Sequence, residues 1–202
     1  MQSPEVVVSV VMTTYNHEAF LAEAIESVLR QRTTFRYEIV IGEDCSTDRT
    51  LELAQRYAAN HPDIVRIVRS ERNVGWRANY RRTIAAAKGR YIALLDGDDM
   101  FIDDEKLQRQ VELLEADTTL GMCYTRSIRR DERGNETIYP EGPCHTSFDE
   151  MLPRRELHRS SPPRPCGAVL LGDSPRPTRR VAYRRPTYVV VVCRHEPLRR
   201  HR

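Results

Sequence analysis

Four short apolar runs rich in β-branched residues, most of them followed by an amphipathic stretch, limit what this chain can fold into. Residues 6–12 form the first run, short and bounded by polar residues, as expected of a parallel strand buried on both faces. Residues 17–32 then bring Phe20, Leu21, Ala24, Ile25, Val28 and Leu29 onto one face of a helix. The pattern repeats with a strand over 37–42 and a helix through about residue 60 carrying Leu51, Ala54, Tyr57 and Ala58. A third strand over 64–68, a turn at 73–75 and a short helix over 79–87 closed by Gly89 follow, and then a strand over 91–95. Asp103 and Asp104 suit the start of another helix, with Leu107, Val111 and Leu114 at i, i+4 and i+7, and residues 122–128 read as a fifth strand before a turn at 131–134. Such alternation predicts an α/β fold with a mainly parallel sheet and helices on both faces.

Sheets of this kind bind ligands outside the carboxyl ends of their strands. Here those ends carry Thr13 and Tyr15, then Glu43 and Asp44, then Asp96, Asp98 and Asp99. Neither a G-x-G-x-x-G after the first strand nor a G-x-x-x-x-G-K-[ST] occurs, so dinucleotide and P-loop readings lose their main support. Three carboxylates within four residues repel one another unless a positive charge sits among them. Mg2+ or Mn2+ answers that need with oxygen ligands and can bridge to a diphosphate. Taken alone, Asp96–Asp99 also reads as a solvated loop capping the next helix, and Glu43-Asp44 as a local turn. The three clusters at successive strand ends argue together for a site.

The runs V-S-V-V-M-T-T-Y-N-H, E-I-V-I-G-E-D-C-S-T-D-R-T and K-G-R-Y-I-A-L-L-D-G-D-D, in this order, resemble family 2 glycosyltransferases of the GT-A (nucleotide-diphospho-sugar transferase) fold. The resemblance spans residues 6–127, about three-fifths of the chain. It implies transfer of a sugar from a nucleotide-sugar donor to a saccharide, lipid-linked or other hydroxyl acceptor, with inversion, in polysaccharide biosynthesis of the cell envelope. Carried over by motif, it puts Thr13 and Tyr15 at the nucleotide, with Tyr15 against the base. Asp44 then accepts the imide N–H of uracil, favouring a UDP-sugar, and Glu43 is the first acid of that pair. Asp96 and Asp98 form the D-x-D, with Asp98 near ribose and metal and Asp99 the direct ligand of Mn2+ or Mg2+. Asn73, Gly75 and Asn79 match the segment ahead of the fourth strand, and Arg77 is either a diphosphate contact or a solvent-facing side chain. The family's downstream carboxylate base has no counterpart: after Glu150 the only acids are Glu156, Asp173 and Glu196, none in that context. The catalytic base therefore stays unassigned.

Composition changes sharply near Leu152. Residues 1–152 hold 19 Lys and Arg against 26 Asp and Glu, so 19 − 26 = −7, whereas residues 153–202 hold 13 Arg against 3 acids, so 13 − 3 = +10. The same tail has eight of the 12 prolines. Residues 1–152 are thus expected to be an incomplete donor-binding domain without its acceptor half. Residues 153–202 are expected to be disordered apart from a strand near 188–193, because so much Pro and Arg cannot bury enough apolar surface to offset ordering entropy. Arg and Pro without any Lys is also what GC-rich DNA gives when read out of frame. A basic arm binding nucleic acid is a third reading, but no aromatic interleaving supports it. No apolar run approaches the ~20 residues of a membrane span, no secretory pattern opens the chain, and 5 scattered cysteines match no disulfide framework. The expectation is a cytoplasmic protein with at most peripheral membrane association. A non-catalytic nucleotide-sugar-binding fragment is the alternative to an enzyme.

Overall fold

The computed structural model of the chain describes residues 5–118, 120–125, 127–130, 135–139 and 191–194. Its elements run β1 (Val6–Thr14), α1 (Leu21–Leu29), β2 (Arg36–Glu43), α2 (Thr50–Asn60), β3 (Val65–Arg69), α3 (Trp76–Ala86), β4 (Tyr91–Asp96), α4 (Lys106–Ala116), β5 (Met122–Tyr124), β6 (Ser127–Arg130), β7 (Glu136–Tyr139) and β8 (Val191–Arg194). One compact unit comprises residues 1–123 and 190–202, and a second comprises residues 124–189. Of the second, β6 and β7 form an antiparallel hairpin, with Ile128 paired to Ile138. The single strand expected over 122–128 is therefore two strands.

The main sheet has the order β3-β2-β1-β4-β8-β5. β2 and β4 flank β1 in parallel, β3 runs parallel to β2, and β8 pairs antiparallel with β4. Chain direction across the sheet thus reverses its progression at β1, which opens a crevice beyond the strand ends there. β8 overlaps the strand expected near 188–193 and brings part of the tail into the sheet. The expected disorder of the rest of 153–202 lies outside the described residues.

Side-chain alternation divides the sheet into two different faces. Val8, Val10, Met12, Ile39, Ile41, Tyr91, Ala93 and Leu95 join Leu21, Ala24, Ile25 and Val28 of α1 and Leu107, Val111 and Leu114 of α4 in one buried apolar core. The opposite face, under α3, mixes the buried apolar Val11, Val40 and Ile92 with polar groups. Asn79 Nδ2 donates to the Gly42 carbonyl (2.7 Å) and the Thr83 hydroxyl donates to the Asn79 carbonyl (2.7 Å). A Cβ at Gly42 would lie 2.0 Å from Thr83 Oγ1, so only glycine lets α3 approach this closely.

Two helix starts differ from the sequence reading, each for a local reason. α1 begins at Leu21 rather than 17: residues 18–20 form a turn ahead of it, with the N–H groups of His17 and Glu18 held by the Thr50 hydroxyl and the Asp48 carboxylate. α3 begins at Trp76 rather than 79 because Gly75, at φ 82, turns the chain into the helix.

Deeper on the α3 face lies a buried carboxylate. Glu38 Oε1 accepts from the Ser9 hydroxyl (2.6 Å) and the Lys88 N–H (2.8 Å), and Oε2 accepts from Arg66 Nη2 (3.0 Å). Burial alone would raise the Glu38 pKa, but these hydrogen bonds and the Arg66 charge bring it below the ordinary glutamate value. A lowered folded-state pKa stabilises above the unfolded pKa and ceases to do so as pH falls through the folded one. Glu38→Gln is expected to cost about 2 kcal/mol at pH 7, the order of a charge-assisted hydrogen bond lost in a buried place. The deficit should shrink below about pH 4, the ordinary range of a carboxylate, and urea unfolding at both pH values checks it; an equal deficit at the two would exclude the charge as its origin.

Candidate functional site

The switch point brings the ends of β1, β2 and β4 side by side. Thr13 lies opposite Asp96 on one side and Gly42 on the other, and Thr14 lies opposite Glu43. Alternation then sorts the polar groups by face. Thr13 and Asp96 point to the α3 side, whereas Glu43 shares the parity of Ile39 and Ile41 and turns to the side of the apolar core.

On the α3 side, Asp96 Oδ1 accepts two hydrogen bonds, from the Thr13 hydroxyl (2.7 Å) and from the Tyr80 phenol (2.5 Å). Burial first, and then the Asp96 charge, push the Tyr80 phenol far above its ordinary range, so it keeps its proton and donates. Trp76, one turn before Tyr80 on α3, meets it edge-on with ring centroids 6.5 Å apart. Trp76 is 64% exposed and is the chain's single tryptophan. Arg77 is exposed and lies over the Trp76 ring at 5.1 Å, a cation–π contact.

Asp44 is almost fully buried and acts as a latch. Its Oδ1 accepts the Val74 N–H (2.9 Å) and its Oδ2 the Gly75 N–H (2.9 Å), which fixes the segment entering α3. Asn73 Oδ1 also accepts from the Gly75 N–H (3.0 Å). Each Asp44 oxygen retains a further lone pair for a ligand donor. Glu43 has no exposed surface, its Oε1 takes the Ser46 N–H (2.6 Å), and its Oε2 is buried without a hydrogen-bond partner. Arg82 neutralises this corner, donating to the carbonyls of Glu43 (2.5 Å) and Val68 (2.7 Å). Burial draws its guanidinium below the ordinary value while Asp44 and Glu43 oppose that shift. Tyr15, by contrast, is 41% exposed at the end of β1.

Asp96–Asp99 forms a tight turn closed by the Asp99 N–H on the Asp96 carbonyl (3.0 Å). Asp98 has a third of its side chain exposed and faces His17 Nε2 at 3.9 Å. The Asp99 carboxyl is pushed up to about 8, chiefly by burial and then by the charges of Asp98 and Asp96. No described side chain donates a hydrogen bond to it. Among the described residues no three His, Cys, Asp or Glu side chains converge as a ready-made cage. An ion held by one or two carboxylates and completed by phosphate and water needs no such cage.

Of the residues singled out in the sequence, Thr13, Asp44, Asp96, Asp98 and Asp99 gather at the strand ends, with Tyr15 exposed beside them. Glu43 is turned inward. Tyr80, Trp76, Arg82 and His17 escaped the sequence reading. Trp76 and Tyr80 were findable as an i, i+4 aromatic pair, but a helix started at residue 79 leaves Trp76 outside it.

The chain belongs to glycosyl transferase family 2, whose model matches residues 9–167. Putative glycosyltransferase EpsE of Bacillus subtilis is 37% identical over 127 residues, which are 63% of this chain and 45% of the relative. Uncharacterized protein Mb1547 of Mycobacterium bovis is 34% identical over 149 residues, 74% of this chain and 41% of that protein. The chain thus spans less than half the length of these curated relatives. Among solved structures, mannosyltransferase PcManGT from Pyrobaculum calidifontis, in complex with GDP-Man and Mn2+, matches with a TM-score of 0.53 and 25% identity, covering 61% of this chain and 38% of that one. The mostly parallel sheet with its helices is the GT-A fold of such enzymes. Within the described residues no helix is long and apolar enough to cross a membrane.

Proposed function

We propose that this chain is the donor-binding part of a metal-assisted, inverting glycosyltransferase that draws its sugar from a UDP-sugar. The observation that carries the reading is the convergence of Thr13, Asp44, Asp96, Asp98 and Asp99 on the crevice at β1, beside an exposed Tyr15. Tyr15 stacks on the base, Asp44 accepts the uracil imide N–H, and Asp96 takes a hydroxyl of the nucleotide. Glu43 supports Asp44 from behind by shaping its loop. Asp98 and Asp99 hold Mn2+ or Mg2+; bound there, such an ion supplies Lewis-acid neutralisation of the diphosphate. In the transfer, a carboxylate base outside the residues assigned here takes the acceptor hydroxyl proton while that oxygen displaces the diphosphate from the anomeric carbon. The acceptor is a saccharide or a lipid-linked hydroxyl.

Calorimetric titration of the full chain with UDP and with GDP, each with Mn2+, tests the donor. GDP merits the comparison because the mannosyltransferase of similar fold is in complex with GDP-Man. UDP should bind at least tenfold more tightly; equal affinity would mean that the base is not read by Asp44. Asp44→Asn should weaken UDP by ~1–3 kcal/mol. An amide has one oxygen where two backbone N–H groups and an imide seek acceptors. The second reading is donor binding without transfer, favoured by Glu156, Asp173 and Glu196 standing in no base-like context. UDP binding without release of sugar from a UDP-sugar would select it.

A further inference from the structure

We infer that Tyr80 is a positioning residue for the donor's ribose, acting through Asp96. This rests on the proposed UDP-sugar reading and adds a residue to it. Tyr80 and Thr13 both donate to the same oxygen, Asp96 Oδ1, at 2.5 and 2.7 Å. They approach from different elements, α3 and β1, so together they fix the carboxylate against rotation about its terminal bond. Oδ2 is left as the carboxylate oxygen without a hydrogen-bond donor among the described residues.

An ionised carboxylate is an acceptor only. A uridine diphosphate offers it few donors: the imide N–H of the base and the two ribose hydroxyls. The imide belongs to Asp44, which leaves a ribose hydroxyl for Asp96 Oδ2. Without the phenol, Thr13 alone holds Oδ1, and the carboxylate can swing toward either partner. The Tyr80 ring is itself steadied by the edge-on Trp76, and α3 is tied to β2 through Asn79 and Gly42.

The test is calorimetric titration of the full chain with UDP and with 2′,3′-dideoxyuridine diphosphate, with Mn2+ present, for wild type and Tyr80→Phe. Phenylalanine keeps the ring against Trp76. The variant is expected to lose about tenfold in UDP affinity while binding the dideoxy nucleotide within twofold of wild type. The loss should thus vanish when the ribose hydroxyls are removed, which general damage to the site would not produce. Equal losses for both nucleotides, or none for UDP in Tyr80→Phe, would overturn the inference and leave the UDP reading standing. Failure of wild type to bind UDP at all would overturn the UDP reading and this inference with it.

Discussion

Replacing Asp99 by alanine is expected to abolish the Mn2+-dependent part of UDP binding and to leave the chain folded. The carboxyl lies in a turn, is pushed up to about 8, and has Asp98 and Asp96 as like-charged neighbours. At pH 7 such a carboxyl is mostly protonated, and no described side chain donates a hydrogen bond to it, so the melting temperature should hold when it is removed. A cation that depends on one or two carboxylates loses much of its protein coordination with that one change. Asp98→Ala should act similarly and also weaken binding without metal, since the family resemblance puts Asp98 near the ribose as well as the metal. Titrations with UDP in Mn2+ and in chelator separate the two effects. Unchanged affinity of Asp99→Ala in Mn2+ would remove Asp99 from the metal site.

Gly42→Ala should produce a large loss of stability. The added methyl group meets Thr83 Oγ1 at 2.0 Å and Asn79 Oδ1 at 2.7 Å, and Asn79 is the residue that bonds the Gly42 carbonyl. Overpacking of this kind costs about 1–3 kcal/mol, and the strained hydrogen bond adds about 1 kcal/mol. A chain of this size should then melt roughly 5–12 °C lower. Because α3 carries Tyr80, UDP affinity should fall in the same variant even well below its melting point. A midpoint within a degree of wild type would mean that α3 can back away from β2 at no cost.

Much of this arrangement was legible because buried parallel strands and polar strand ends look so different in sequence. β1, β2 and β4 lie within two residues of their expected bounds, and the acids follow them directly. What could not be read was direction. Residues 38–43 of β2 are buried on both faces, so no alternation of polar and apolar residues betrays which way Glu43 points. Its inward turn follows from pairing with Thr14, a register that only the assembled sheet defines. Glu38 was hidden for the same reason, as its partners Ser9, Arg66 and Lys88 come from three separate segments. Tyr80 resembles any helical aromatic until α3 is set against the end of β4.

The Asp44 latch has a consequence for the tempo of binding. Both carboxylate oxygens already hold the segment that enters α3, so the nucleotide meets a loop that is ordered beforehand. Association then requires no slow rearrangement there, and mixing with UDP should give a single phase whose rate rises linearly with concentration. The exposed Trp76 beside that segment supplies the fluorescence by which a stopped-flow trace would follow it. A saturating rate would point instead to a loop that opens and closes, with Asp44 as its catch.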